Sequence, residues 1–171
     1  DTWYTVAGDS LYRSLNNGAG WESIQDWPST IIKGVKSFPK ENQHSAAVAG
    51  LVAVWAETDS SESGSDGNTS SSGSPAYFLY LSENCGETWS LAKQLSPDDS
   101  GAAWRINDVA WIERNGQPSL LVATSKGLYE YSNQKGKEWK QVLIDPNKQA
   151  LPARSVVVAT SQRGKNSIAV L

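Results

Sequence analysis

Apolar and polar positions alternate over short runs along this chain, the period-two pattern of strands with one face buried. The clearest unit runs from Arg105 to Ile144. RINDVAWIE alternates as a strand, NGQP is a turn, and SLLVATSK is a buried apolar strand. GLYEYS comes next, then a polar turn, then WKQVLI, making four antiparallel strands in about 40 residues. The preceding unit keeps this order, with IIKGVKSF, SAAVAGLVAVWAE, AYFLYLS, a polar turn and TWSLAKQL. The ends carry fewer strands. WYTVAG, SLYRS and WESIQ stand near the N-terminus, and RSVVVATS and NSIAVL at the other end. The pattern therefore predicts an all-β chain with successive sets of three, four, four and two strands.

The polar turns are related to one another. YRSLNNGAGW, YLSENCGETW and YEYSNQKGKEW each carry Ser, an amide residue two later, Gly four later and Trp seven later. The sets are Ser14/Asn16/Gly18/Trp21, Ser82/Asn84/Gly86/Trp89 and Ser132/Gln134/Gly136/Trp139. Each has the chemistry of a hairpin corner. The Gly supplies a positive φ, the amide side chain accepts backbone N–H groups inside the turn, and the Trp starts the next strand and folds over apolar surface. Cys85 falls at the variable position between Asn84 and Gly86 and reads as a turn residue.

These three segments resemble the Asp-box (BNR) repeat, whose pattern is Ser-x-Asp-x-Gly-x-Thr-Trp. The repeat is characteristic of β-propellers, among them sialidases, some endoglucanases, sortilin-type receptors and photosystem assembly factors. Ser14, Ser82 and Ser132 match its Ser, Gly18, Gly86 and Gly136 its Gly, and Trp21, Trp89 and Trp139 its Trp. Thr88 alone matches the Thr, and Asn16, Asn84 and Gln134 stand where the family has Asp. Gln is a methylene longer than Asn, so the third turn departs furthest. The resemblance implies a β-propeller of four-stranded antiparallel blades, present over residues 1–171 as about three to four blades of a larger ring. The structural alternative is an all-β sandwich. The resemblance also makes the boxes scaffold and places function on the opposite rim, in QDWPST, ETDSSESGSDGNTSSSGSP, SPDDSGAAWR and DPNKQALPAR.

Composition narrows the chemistry. With 15 Lys+Arg against 18 Asp+Glu the chain is mildly acidic, which argues against nucleic acid or an anionic membrane as its partner. No apolar run approaches the roughly 20 residues of a membrane helix. The chain starts at Asp1 and contains no Met, the mark of a mature, trimmed or excerpted product, so the N-terminus does not report the compartment. An extracytoplasmic or secreted location is the slight preference. A lone cysteine forms neither an internal disulfide nor a cysteine metal cluster, and no cofactor or metal is expected. His44, the single histidine, reads as a loop residue. The Ser/Gly-rich loop 59–75 is low in complexity and cannot bury a core. It holds one glycosylation-type pattern, Asn68-Thr69-Ser70, which matters only in a secretory compartment.

On the expected loop rim, Trp27, Trp104, Arg105, Asp108 and Arg154 are the candidate ligand-binding residues, aromatic faces beside a few polar groups. The bland readings beside them are packing for the two tryptophans and a solvated rim for the charges. The first functional expectation is a non-catalytic scaffold or recognition module whose loop face binds a protein partner, completed by the rest of a longer chain or by other subunits. The alternatives are a glycoside hydrolase, and a carbohydrate-binding propeller using Trp27 and Trp104 as stacking platforms on polysaccharide. Hydrolysis needs two carboxylates across the bond. Asp99 and Asp108 are the acids nearest the inner strands, but no motif marks them.

Overall fold

The computed structural model describes residues 2–39, 50–59, 74–97, 104–114, 116–132, 138–142, 151–160 and 166–171. His44, Asn68, Asp99, Gln134, Gly136 and the interior of the Ser/Gly-rich loop lie outside them. The described residues form an all-β structure of four antiparallel sheets. The first is β1 (Trp3–Ala7), β2 (Ser10–Ser14) and β3 (Glu22–Asp26), and the second β4 (Thr30–Ser37), β5 (Val52–Thr58), β6 (Tyr77–Ser82) and β7 (Ser90–Leu95). The third is β8 (Ile106–Arg114), β9 (Gln117–Thr124), β10 (Gly127–Ser132) and β11 (Trp139–Gln141), and the fourth β12 (Val156–Thr160) and β13 (Asn166–Val170). Strands pair in chain order within every sheet, as hairpin connections require.

Burial explains why some strands alternate and others do not. In β5, Val54 and Ala56 join a cluster with Leu11 and Trp27 of the first sheet region, while Ala53 and Trp55 join one with Val109 and Trp111 of the third. In β9, Leu120 and Val122 face the second sheet, whereas Leu121 and Ala123 face Val156 of the fourth. A strand covered on both sides reads as a continuous apolar run, which is why LVAVWA and LLVA do not alternate. The three apolar clusters thus lie between successive sheets. The first strand of each sheet also lies against the first strand of the next: β1 on β4, β4 on β8, β8 on β12.

Two of the turns share one set of Ser, Asn and Gly hydrogen bonds, to which the second adds Asn84 Nδ2 to Thr88 Oγ1 at 2.9 Å and Trp89 Nε1 to the Gly86 carbonyl at 3.1 Å. Ser14 Oγ accepts the N–H of Gly18 at 2.9 Å, and Ser82 Oγ that of Gly86 at 2.8 Å. Each serine hydroxyl donates to the amide oxygen of Asn16 or Asn84, which in turn accepts the N–H of Gly20 or Thr88. Gly18 and Gly86 take φ of 86° and 87°, and the residues before them, Asn17 and Cys85, 56° and 57°. Ser82 is 1% exposed. Ser82→Ala should therefore cost about 1–3 kcal/mol, because it strips a buried acceptor from two N–H groups and a donor from Asn84. Urea unfolding measures it, and a loss below a few tenths would show the turn to be indifferent to the hydroxyl. Cys85 sits in the left-handed region that Asn tolerates better, so Cys85→Asn should stabilise by up to about 1 kcal/mol, with Cys85→Ser nearly neutral. A destabilised asparagine variant would mean that the thiol's own contacts outweigh the backbone strain.

The third turn departs from its expected alignment. Arg13 pairs with Glu22, and Leu81 with Ser90, each the residue after the turn tryptophan. In the third sheet Lys140, the residue after Trp139, pairs with Glu130, and Tyr131 faces Trp139 itself. Tyr131 therefore occupies the place of Ser14 and Ser82, and the connection is one residue longer. Ser132 lies one step beyond the position its sequence offset suggested. A pattern of Ser, Gly and Trp offsets is blind to such a slip, because only ladder pairing distinguishes the two registers.

Candidate functional site

In the first three sheets, the related turns lie at one strand end and the sheet-to-sheet connections at the other. The connections are tied to hairpins of the preceding sheet. Trp27 N–H donates to the carbonyl of Asp9 and Ile32 N–H to that of Gly8, in the β1–β2 turn. Ala153 N–H donates to the carbonyl of Thr124, at the end of β9. Two segments far apart in sequence thus share one side, and the five candidate ligand-binding residues fall on or beside such segments.

The structure gives Trp27 and Asp108 structural roles. Trp27 is buried, with Tyr80 at 4.9 Å and Trp89 edge-on at 5.3 Å between ring centroids. An indole enclosed in this way offers no stacking platform, and the expectation for Trp27 is corrected to packing. Asp108 is a clamp. Its Oδ1 accepts the N–H of Val109 at 2.9 Å, and its Oδ2 accepts Ser155 Oγ at 2.8 Å and Val156 N–H at 3.1 Å. A bulge makes this possible: Ile106 pairs with Thr124 and Asp108 with Ala123, leaving Asn107 as the extra residue. Asn107 Nδ2 donates to the Ala153 carbonyl at 2.7 Å, so adjacent side chains of β8 hold the start of β12 and the segment that leads into it.

Trp104 is half-buried against the cluster between the second and third sheets. It meets Tyr129 at 5.4 Å, and Tyr129 stacks on Trp139 at 5.2 Å with 14° between planes. Lys126 Nζ lies 4.9 Å from the Trp104 ring centroid, and Lys93 Nζ 5.7 Å from that of Trp139. Ammonium groups thus stand against both ends of a three-ring row, attracted by the negative ring faces. Arg105 is exposed beside it, its backbone N–H donating to Ser125 Oγ and its carbonyl accepting the N–H of Ser125. Arg154 is also exposed, with its main chain bonded to the carbonyl of Leu171.

A further group adjoins this patch. Tyr77 donates its hydroxyl to Glu57 Oε2, and Lys33 Nζ reaches Glu57 Oε1 at 3.0 Å. Glu57 ends the apolar run of β5 and Tyr77 opens β6, so they face each other in the ladder across loop 59–75. Burial first, and the Glu57 carboxylate second, push the Tyr77 phenol up to about 12, while Arg105 acts in the opposite direction. Such a phenol stays protonated and donates; it is not poised as a nucleophile. Nothing in the local sequence marked the trio, although a charged residue ending an apolar run was its visible trace. Tyr4, whose hydroxyl donates to the Cys85 carbonyl, is likewise raised to about 12, chiefly by burial. Both phenols bind their proton more tightly when folded than at their ordinary value of 10.0. Their stabilising contribution is therefore complete below pH 10 and is lost as the pH rises towards 12. Alkaline unfolding curves for the protein and for Tyr77→Phe check this: the slope between those limits should be shallower in the variant.

Chemically, the patch formed by Trp104, Lys126, Arg105, Tyr77, Glu57 and Lys33 combines an aromatic face with cations and one ion-paired carboxylate. That combination suits recognition of a polar or acidic surface. Comparison of the chain with protein-family models and with curated proteins finds no match.

Proposed function

We propose that the protein is a segment of an Asp-box β-propeller that acts as a non-catalytic recognition scaffold, binding a protein partner through its loop side. The observation that carries the binding reading is the Lys126–Trp104–Tyr129 row beside exposed Arg105. Tryptophan, tyrosine and arginine are the residues that dominate protein interfaces, where an apolar ring is flanked by a directional charge. The propeller reading is supported by the Ser, Asn and Gly bonding shared by the turns at Ser14 and Ser82, and by successive antiparallel sheets, two of them four-stranded, that meet through their first strands. The cations give the partner an acidic stretch. The carboxylate of Asp108 has both oxygens engaged by Val109, Ser155 and Val156, which favours a structural over an acid–base role.

The test offers polyglutamate, soluble β-glucans and sialosides to the protein while tryptophan fluorescence and reducing-end release are followed. Polyglutamate should change the fluorescence in a salt-dependent manner, and Arg105→Ala with Lys126→Ala should abolish the change. Release of reducing ends that disappears in an Asp99→Asn, Asp108→Asn variant would replace this reading with the hydrolase. A response to neutral glucan alone would replace it with carbohydrate binding.

A further inference from the structure

The second and third sheets carry the same aromatic trio on the face turned towards the preceding sheet. Ladder pairing matches Tyr80 with Tyr129 and Trp89 with Trp139. A tryptophan from the segment before each sheet, Trp27 or Trp104, completes the trio. In the second sheet the trio is closed, with Trp27 buried against Tyr80 and Trp89. In the third, Trp104, Tyr129 and Trp139 are all half-buried and stand in a row. The charges differ too. Lys126 and Lys93 lie against the two ends of the row, whereas the same ladder positions around the first trio hold Tyr77 and Gln25. Uncharged residues suffice to pack a trio of this kind, so packing alone does not call for the two lysines.

The row follows the seam between the second and third sheets. It starts on the loop side, where Lys126 lies in the β9–β10 turn and Arg105 precedes β8, and it ends at Trp139, which opens β11. Beyond Trp139, Glu83 acts on the Tyr131 phenol and closes the cationic stretch. The strands beside the seam, β7 and β11, are the outermost of their sheets. A ring face holds an ammonium through its quadrupole without neutralising it, so an ammonium seated on a ring can still bond an anion. We propose that this seam binds an extended acidic segment of a protein partner, with one acidic group at Lys126 and Arg105, a second at Lys93, and the intervening residues over the three rings. The ring centroids are 5.4 and 5.2 Å apart. An extended chain, advancing about 3.3 Å per residue, crosses them and reaches both ammonium groups in about four to six residues. A peptide fits better than an acidic polysaccharide, because the outer edges of β7 and β11 carry backbone groups with which an extended chain can pair. The inference rests on the loop-side recognition reading and adds to it Lys93 and a direction.

Fluorescence anisotropy with two labelled peptides tests the inference. One has two glutamate pairs separated by four serines; the other has the same residues with the four glutamates adjacent. The spaced peptide should bind about three- to tenfold more tightly than the compact one. Lys93→Ala should remove that advantage and leave the compact peptide unaffected, whereas Lys93→Arg, which keeps the charge, should retain it. Lys126→Ala should weaken both. Circular dichroism and thermal unfolding verify that each variant folds. Equal affinity of the two peptides overturns the proposal, and so does a spaced peptide indifferent to Lys93→Ala. In either case, binding that still depends on Arg105 and Lys126 leaves the loop-side reading standing. An all-serine peptide that binds as well, or polygalacturonate that binds through Lys93 more tightly than the spaced peptide, would replace the acidic peptide with another occupant. If neither peptide binds, the seam proposal fails, and if polyglutamate does not bind either, the loop-side reading fails with it.

Discussion

Replacing Trp111 by alanine is expected to cost about 3–5 kcal/mol, the usual loss on emptying a buried aromatic site. Trp111 lies in β8 and is 6% exposed, in the cluster shared by the second and third sheets. Its ring meets Phe38 edge-on at 5.7 Å, and its Nε1 donates to the Lys36 carbonyl of β4 at 3.0 Å. The indole thus joins neighbouring sheets by packing and by one directed bond. Alanine would leave a cavity and an orphaned carbonyl. Trp111→Phe retains most of the packing and gives up the bond, so about 1 kcal/mol should separate it from the native protein. Urea unfolding of both variants provides the comparison. Equal losses would place the whole effect in the hydrogen bond, and a small loss for alanine would mean that the sheets do not depend on this cluster.

Gly50→Ala should be nearly as damaging, at about 2–4 kcal/mol, through overpacking and a lost hydrogen bond. An added Cβ would stand 2.6 Å from the Glu83 carbonyl oxygen and 3.1 Å from Asn84 Cα and Cys85 N. These are backbone atoms of the turn from Ser82 to Trp89, and they cannot rotate away as a side chain would. The turn has to shift, and with it the bond from Cys85 N–H to the Gly50 carbonyl. Its other ties would be strained as well, since the Cys85 carbonyl also accepts from Tyr4 and Arg13 of the first sheet. Gly8→Ala is the control. Gly8 has φ of 63° but nothing within 4 Å of its added Cβ, so only backbone strain of about 1–2 kcal/mol opposes it. If thermal unfolding ranks Gly8→Ala as the worse variant, the close approach at Gly50 is not what holds the turn.

Much of this architecture is legible in local sequence. The strand runs, their grouping into sets of three, four, four and two, and the buried character of SLLVAT all follow from period-two alternation and its interruption. The Ser, Asn and Gly of the first two turns make the hydrogen bonds and positive φ that their chemistry suggests. The candidate site was less legible. Trp27 stands next to Pro28 and Ser29 in a stretch that looks like an exposed loop, yet its ring is enclosed by Tyr80 and Trp89. Asp108 looks like a rim charge until Ser155 and Val156 are brought to it. The Glu57–Tyr77–Lys33 group spans three strands and shares no spacing that a motif could record.

The sequence by itself determined the strands, their antiparallel hairpin order and the bonding of the two regular turns, because each depends on residues close together in the chain. Tertiary structure alone decided which face of each strand meets which neighbour, and therefore which tryptophans are core and which are open. Trp21 and Trp89 hold the same place in equivalent turns, yet one is 44% exposed and the other packs beside Trp27. It also decided the register of the third turn, where Tyr131 and not Ser132 takes the serine position. The physical reason is the same in both cases. Side-chain burial and ladder pairing are set by contacts between segments remote in sequence, and local composition carries no record of the partner.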